Sequence, residues 1–142
     1  MTATNPLLQA FDLPPYSAIR PEHVEPAVEQ ILADNRAAMS RLLEQQAADP
    51  SWDGLVLALD ELGARLGQAW SPVSHLNAVC NSPELRAAYE ACLPKLSEYW
   101  TEIGQNQPLF QAYQALAESH AAAGFDVAQQ TILEHALRDF RL

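Results

Sequence analysis

Residues 52–80, WDGLVLALDELGARLGQAWSPVSHLNAVC, carry the most regular pattern in the chain. Apolar side chains in this stretch recur at alternating intervals of three and four: Trp52, Leu55, Leu59, Leu62, Leu66, Ala69, Val73, Leu76 and Cys80. Because an α-helix turns once every 3.6 residues, this spacing places all of them along one side of a helix. At a rise of about 1.5 Å per residue, the helix would be about 42 Å long. The stretch therefore predicts a long helix that buries one side and is kinked at Pro72.

Four further helices are predicted around this one. They cover roughly residues 22–46, 83–103, 108–124 and 126–142. Ser82 and Asp126 suit the N-cap position, Pro108 suits the first helical turn, and Gly124 suits a helix end. No segment shows the alternation of apolar and polar residues that is typical of a strand. The sequence therefore predicts an all-α fold, an antiparallel bundle of about five helices with no β-sheet.

The N-terminal residues 1–20 predict an extended arm rather than a helix. Pro6, Pro14 and Pro15 would interrupt any helix there. The arm also carries five large apolar residues, whose burial would hold it against a neighbouring surface: Leu7, Leu8, Phe11, Leu13 and Tyr16. We therefore expect an ordered arm over residues 1–20 and a helical segment over residues 21–142.

The predicted last helix runs to Leu142 without a glycine, a proline or any other C-terminal cap. Residues 55–59 are apolar on all sides of the helix that contains them. Both features lead us to expect that residues 21–142 are truncated at the C-terminus, and that further polypeptide would cover this surface. The exposed apolar surface could also allow the chain to dimerise.

The charge of the chain argues against several classes of partner. It has 142 residues, with 18 acidic and 8 basic residues and a formal net charge of −10. Nucleic acids and anionic membranes are bound by clustered Lys and Arg, which this sequence lacks. No signal peptide and no membrane span is predicted. We therefore expect a cytoplasmic protein that binds neither nucleic acid nor membrane.

Residues 20–29, RPEHVEPAVE, could either hold a metal ion or begin a helix. A catalytic zinc ion needs about three protein ligands, and two histidines on one helical face are normally four residues apart. His23 and Glu25 are two apart and point to different sides of a helix. We therefore favour a short turn over residues 21–24 and a helix that starts near Pro26, and we expect no catalytic and no metal-binding residue in this chain.

Cys80 and Cys92 could form a disulfide or remain as thiols. If a hairpin forms at residues 81–83, Cys92 lies about 13 Å along its helix from the turn. A disulfide needs Cα atoms within about 7 Å. We therefore expect two reduced, mostly buried thiols.

The other candidate side chains have an ordinary structural interpretation beside a functional one. His75 could transfer protons, but exposed or capped helix histidines are commoner, and His120 and His135 have no histidine partner nearby in sequence. Four aromatic residues could line a peptide groove, but their spacing favours packing in the core: Tyr89, Tyr99, Trp100 and Tyr113.

Three segments resemble the N-terminal part of the thimet oligopeptidase family of zinc metallopeptidases. They are NPLLQAFDLPPYSAIRPEHVEPAVEQIL, WSPVSHLNAVCNSPELRAAYEACLPKLSEYW and LEHALRDFRL, over residues 5–32, 70–100 and 133–142. The resemblance implies a much longer, mostly helical parent with two lobes around a channel that admits short peptides. It also implies a zinc ion held by an HExxH motif and a later glutamate.

None of those zinc-binding motifs occurs in this chain, so the resemblance assigns it no catalytic residue and no cofactor. It implies instead that these helices form part of one lobe and one wall of the channel, and that the rest of the parent polypeptide is their partner. The alternative is a stand-alone helical module that binds other proteins and has no enzymatic activity.

Overall fold

The computed structural model describes residues 5–141, apart from the side chains at positions 120, 121 and 141. Five α-helices are present in this part of the chain: α1 (Pro21–Ala48), α2 (Ala58–Val79), α3 (Pro83–Gly104), α4 (Gln107–Ala117) and α5 (Val127–Arg141). Short 3-10 turns cover Pro6–Leu8, Tyr16–Ala18 and His120–Gly124, and a π-helical turn, Asp53–Leu57, precedes α2. Residues 5–141 contain no strand. The all-α prediction is confirmed.

Two of the predicted caps form as expected. The Ser82 hydroxyl accepts the backbone N–H of Leu85 at 3.1 Å and begins α3. At the start of α5, the Asp126 carboxylate accepts the Gln129 N–H at 2.8 Å, and the Gln129 side chain accepts the Asp126 N–H at 3.0 Å. This reciprocal pair satisfies two N–H groups that a helix end would otherwise leave without partners.

The start of the first helix was predicted wrongly. No separate turn interrupts residues 21–24, because α1 begins at Pro21 and continues through Pro26. A proline lacks the N–H that would bond the carbonyl of Glu22, four residues earlier. Both Glu22 and Pro26 are exposed, so water can bond that carbonyl instead. The helix therefore tolerates a proline that would break it in a buried position.

The fourth helix also ends earlier than Gly124. It ends at Ala117, and Ser119 is extended, with ψ of 161°. The Ser119 hydroxyl donates to the carbonyl of Leu116 at 2.7 Å. In a longer helix that carbonyl would accept the N–H of residue 120, so the serine side chain replaces the next helical bond.

The predicted long helix over residues 52–80 differs at its N-terminal end. Residues 53–57 form a π-helical turn, and regular α-helix begins at Ala58. Next to this turn, the buried Gln46 side chain accepts the Ser51 N–H at 2.8 Å, and the Ser51 hydroxyl accepts the Gly54 N–H at 3.0 Å. A Cβ atom at Gly54 would overlap Gln46 Nε2 and lie 2.6 Å from Ser51 Oγ. An alanine at position 54 would therefore displace the Gln46 and Ser51 side chains from the positions in which they bond the backbone.

The described chain divides into two compact units. The first contains the residues up to Asn35 and Leu62–Tyr99, and the second contains Arg36–Glu61 and the residues from Trp100 onward.

In the first unit, a buried amide joins three helices. Asn35 of α1 is fully buried, and its Nδ2 atom donates to the carbonyl of Leu62 in α2 and to the hydroxyl of Tyr99 in α3, both at 3.2 Å. Apolar residues from all three helices and the arm are also buried in this unit: Leu7, Val24, Ala27, Val28, Ile31, Leu32, Leu66, Ala69, Val73, Leu85, Cys92 and Leu96.

Two ion pairs on the surface of the first unit join the same three helices. Asp34 contacts Arg65 of α2 at 3.0 Å, and Glu29 contacts Lys95 of α3 at 3.0 Å. Together with the Asn35 contacts, they show that α1 runs antiparallel to α2 and parallel to α3. All four charged side chains are more than a third exposed, so each pair contributes little stability.

The second unit has its own apolar core. Its buried members are Met39, Leu42, Leu55, Leu109, Ala112, Leu116 and Leu133. Phe140 of α5 packs against Phe110 and Tyr113 of α4, with ring centroids 5.6 and 6.0 Å apart. Val127, the first residue of α5, is 77% exposed although it is apolar.

Among the described helices, none combines the length and the apolar character needed to cross a lipid bilayer.

We expect Tyr99→Phe to lower the free energy of unfolding by about 1 kcal/mol, because the buried Asn35 amide loses one acceptor. Asn35→Ala should cost more, about 2 kcal/mol, since it removes both hydrogen bonds and leaves a void. Urea denaturation followed by circular dichroism measures both changes. Tyr89→Phe is the matched control, because Tyr89 packs by ring stacking on Trp70, with centroids 5.0 Å apart. Equal losses for Tyr99→Phe and Tyr89→Phe would contradict a role for the buried hydrogen bond.

We expect Gly54→Ala to destabilise the chain by about 1–3 kcal/mol, because the new methyl group overlaps the Gln46 and Ser51 side chains. The control is Gly67→Ala in the middle of α2, where an added Cβ has nothing within 4 Å. That change should stabilise the chain by about 0.5–1 kcal/mol, because alanine favours helix over glycine. Thermal unfolding of the two variants should shift in opposite directions, and a shift in the same direction would refute the packing argument at Gly54.

Candidate functional site

The N-terminal arm, residues 5–20, is attached to α1 and α2 by specific contacts. The Asn5 side chain donates to the carbonyl of His23 at 2.8 Å and accepts the N–H of Leu7 at 3.0 Å. Leu7 is only 4% exposed. Gln68 of α2 donates to the carbonyl of Phe11 at 3.0 Å. These contacts attach the arm to α1 and α2. Of the five apolar residues expected to hold the arm, Leu7 is buried, whereas Leu8, Leu13 and Tyr16 are 37%, 83% and 41% exposed.

A pocket of about 380 Å³ lies between the arm and this face of α2. Phe11 and Pro14 of the arm and Pro72 of α2 provide its apolar walls. Its polar lining comes from Asp12, Tyr16, Gln68, Ser71 and His75. On α2 the lining residues are spaced three, four and seven apart from Gln68, so they form one helical stripe. Pro72, predicted only as a kink, is a buried residue that forms part of the pocket wall.

The pocket combines a carboxylate with aromatic rings. Asp12 is exposed at the rim, and no Lys or Arg is among the lining residues. The Tyr16 and His75 rings are 5.5 Å apart between centroids and tilted by 50°. Tyr16 is 41% exposed. Hydrogen-bonding groups, an acidic side chain and two ring faces thus meet at one opening.

The structure gives His23 a structural role. Its Nδ1 atom accepts the backbone N–H of Arg20 at 2.9 Å. In a capping box, the residue three positions after the N-cap reaches back to the N-cap N–H in the same way. One ring nitrogen of His23 is therefore engaged at the start of α1, which begins at Pro21 and not near Pro26 as expected.

The described residues contain no group of three or more His, Cys, Asp or Glu side chains placed to share a metal ion. Three such ligands are the usual requirement for a catalytic zinc site. The side chains present in this part of the chain therefore do not fit a zinc ion, and we assign no catalytic step to one here.

The two cysteines occupy different environments. Both are free, but Cys80 is exposed, so the prediction of mostly buried thiols is correct only for Cys92. Burial raises the pKa of the Cys92 thiol to about 11, and the nearby Glu25 carboxylate adds to this shift. The thiolate is the nucleophilic form of cysteine, so Cys92 is unreactive near neutral pH.

The remaining predicted side chains are dispersed. His75 lies at the rim of the pocket, His135 is exposed, and the side chain of His120 lies outside the described residues. Of the four aromatic residues, Tyr99 is buried and Tyr89 is half-buried. Tyr113 is also half-buried, and desolvation raises the pKa of its hydroxyl. Trp100 is 52% exposed, so the prediction that it packs in the core is wrong.

Sequence reasoning missed two buried polar residues, Asn35 and Gln46, which are 0% and 4% exposed. A signal for Asn35 is present in the sequence. It lies three or four residues from Ile31, Leu32 and Met39 and so occupies a position in the apolar stripe of α1. A polar residue at such a position indicates a buried hydrogen bond.

Known proteins match almost the whole chain. The profile of the family described as "Neurolysin/Thimet oligopeptidase, N-terminal domain" matches residues 28–142. Oligopeptidase A of Haemophilus influenzae is 49% identical over 142 residues, 100% of this chain and 21% of that protein. Oligopeptidase A of Salmonella typhimurium is 51% identical over 139 residues, 98% of this chain and 20% of that protein.

A plant protein, the "Probable cytosolic oligopeptidase A" of Arabidopsis thaliana, is 34% identical over 137 residues, 96% of this chain and 19% of that protein. The chain thus spans about a fifth of the length of the curated relatives that it matches. The family profile covers most of the chain and agrees with the resemblance in the three sequence segments. The chain therefore belongs to the neurolysin/thimet oligopeptidase family, and it corresponds to the N-terminal domain of that family.

Proposed function

We propose that this chain is the N-terminal helical segment of a zinc-dependent oligopeptidase that hydrolyses short peptides. The observation that carries the proposal is the match along 142 residues to oligopeptidase A of Haemophilus influenzae, at 49% identity. In the parent protein, the helices would form part of one lobe and one wall of the channel that receives peptides. The name of the Arabidopsis relative, which contains "cytosolic", supports a cytoplasmic location.

The catalytic groups belong, on this proposal, to the rest of the polypeptide. About four fifths of each bacterial relative lies outside the region that this chain matches. Zinc would polarise a bound water for attack on the peptide bond in the full-length enzyme. The role of residues 5–141 would be to build a rigid wall and to present its surface to the peptide and to the rest of the protein. The remainder of the parent polypeptide would be their main partner.

A second candidate is a stand-alone module that binds other proteins through its helices, or dimerises. Several large apolar side chains favour it, because they are substantially exposed: Leu13 83%, Leu57 47%, Val79 66%, Leu93 42% and Val127 77%. The same exposed apolar residues also fit the first candidate, because in a larger enzyme they could contact other parts of the polypeptide. The two candidates differ in whether the chain can replace the same region in an active peptidase.

We expect the purified 142-residue chain to cleave no fluorogenic peptide above the buffer blank, with or without added Zn²⁺. The physical reason is the lack, in residues 5–141, of three side chains that could share the ion. Full-length oligopeptidase A from Haemophilus influenzae, assayed in the same buffer, is the positive control. Zinc-dependent hydrolysis by the pure chain, abolished by a chelator, would overturn this expectation.

We expect a chimera to be an active peptidase when residues 1–142 replace the matching region of the Haemophilus influenzae enzyme. The aligned region covers every residue of this chain, so its helices should meet the surfaces that the enzyme's own region meets. Peptide hydrolysis and circular dichroism are measured together. The control is the same enzyme with the matching region deleted, which should be inactive. A folded chimera without activity would favour the stand-alone module.

A further inference from the structure

We propose that the pocket between the N-terminal arm and α2 binds the guanidinium group of an organic cation. The proposal rests on the residues that line the pocket and does not depend on the peptidase assignment.

The charge of the lining selects the sign of the ligand. Asp12 contributes a carboxylate, and neither Lys nor Arg is among the lining residues. The chain as a whole has a formal net charge of −10, so its field also attracts cations. An anion in this pocket would meet Asp12 without a counter-charge from Lys or Arg. A neutral ligand could donate a hydrogen bond to that carboxylate but would lack the charge attraction that strengthens the bond from a cation.

The aromatic rings at the rim suit a delocalised or substituted cation. The faces of tyrosine and other aromatic rings attract cations within about 6 Å of the ring centroid. Tyr16 is 41% exposed, so part of its ring remains open beside the pocket, and the centroid of the His75 ring lies 5.5 Å from that of Tyr16.

The geometry also limits the size of the ligand. A volume of about 380 Å³ lies near the lower end of the range for small-molecule pockets, about 300–1,000 Å³. That space suits a single basic side chain or a small amine, whose aliphatic part would contact Phe11, Pro14 and Pro72. Gln68 uses its Nε2 to bond the Phe11 carbonyl, so its Oε1 is the part of that amide suited to accept a hydrogen bond from the ligand. The Ser71 hydroxyl supplies a second acceptor.

The test is a titration of the ¹⁵N-labelled 142-residue chain at pH 8 with three probes, followed by backbone amide shifts of Gln68, Ser71 and His75. N-acetyl-arginine amide represents a peptide side chain, and agmatine represents a free amine with the same guanidinium group. N-acetyl-citrulline amide is the uncharged match for the first probe. We expect saturable shifts with at least one guanidinium probe and none with the citrulline derivative. Saturation by the arginine amide alone would identify a peptide side chain as the ligand, and saturation by agmatine alone a free amine.

Two pocket variants and one control variant show whether binding depends on the pocket or on the overall negative charge of the chain. Asp12→Asn should weaken binding about threefold, as expected for the loss of one exposed ion pair. Tyr16→Leu should also weaken binding about threefold, because the ring face is lost. Glu44→Gln, which removes an exposed carboxylate outside the pocket, should leave affinity unchanged. Equal shifts with the citrulline derivative, equal effects of Asp12→Asn and Glu44→Gln, or no saturable shift with either guanidinium probe would each overturn the proposal.

Discussion

The hydrogen bonds of the buried Asn35 side chain are the constraint on which the first unit of the fold depends. The amide is fully buried and contacts α2 and α3 at the same time, through the Leu62 carbonyl and the Tyr99 hydroxyl. Apolar contacts alone would allow three helices to slide or rotate, because burial of apolar surface has little directional preference. A buried amide cannot change partners without losing hydrogen bonds, so it sets which residues of the three helices lie side by side.

Side-chain hydrogen bonds also fix the backbone in the second unit, at the turn that leads into α2. Gln46 is buried and satisfies the backbone of Ser51, while Ser51 satisfies Gly54. The side chains replace part of the regular helical bonding next to the π-helical turn at residues 53–57. In both units, polar side chains of α1 therefore specify local geometry that apolar packing leaves open.

The pocket between the arm and α2 also depends on hydrogen bonds from side chains to the backbone. The arm contains only short 3-10 turns. Asn5 bonds its start to α1, Gln68 of α2 bonds the Phe11 carbonyl in its middle, and Leu7 is buried. The pocket is lined by residues 11–16 of the arm and by the stripe of α2 from Gln68 to His75. Its carboxylate and its rings come from separate parts of the chain, Asp12 and Tyr16 from the arm and His75 from α2. Membership of the thimet oligopeptidase family accounts for the helical scaffold but does not by itself explain this combination.

The amino-acid sequence by itself determined the presence of the five helices and the N-terminal caps of two of them, α3 and α5. The three-and-four spacing of residues 52–80 and the pairs Ser82–Leu85 and Asp126–Gln129 act within one or two helical turns, so a local pattern was sufficient to predict them. Tertiary structure decided what depends on solvent and on distant neighbours. Pro26 remains inside α1 because its side of the helix is exposed, and Trp100 and Val127 are exposed although their apolar character predicts burial. The bonds from Asn35 to residues 62 and 99, and the meeting of Asp12, Tyr16 and His75 at one pocket, link positions far apart in the chain, and only the packing of the helices brings them together.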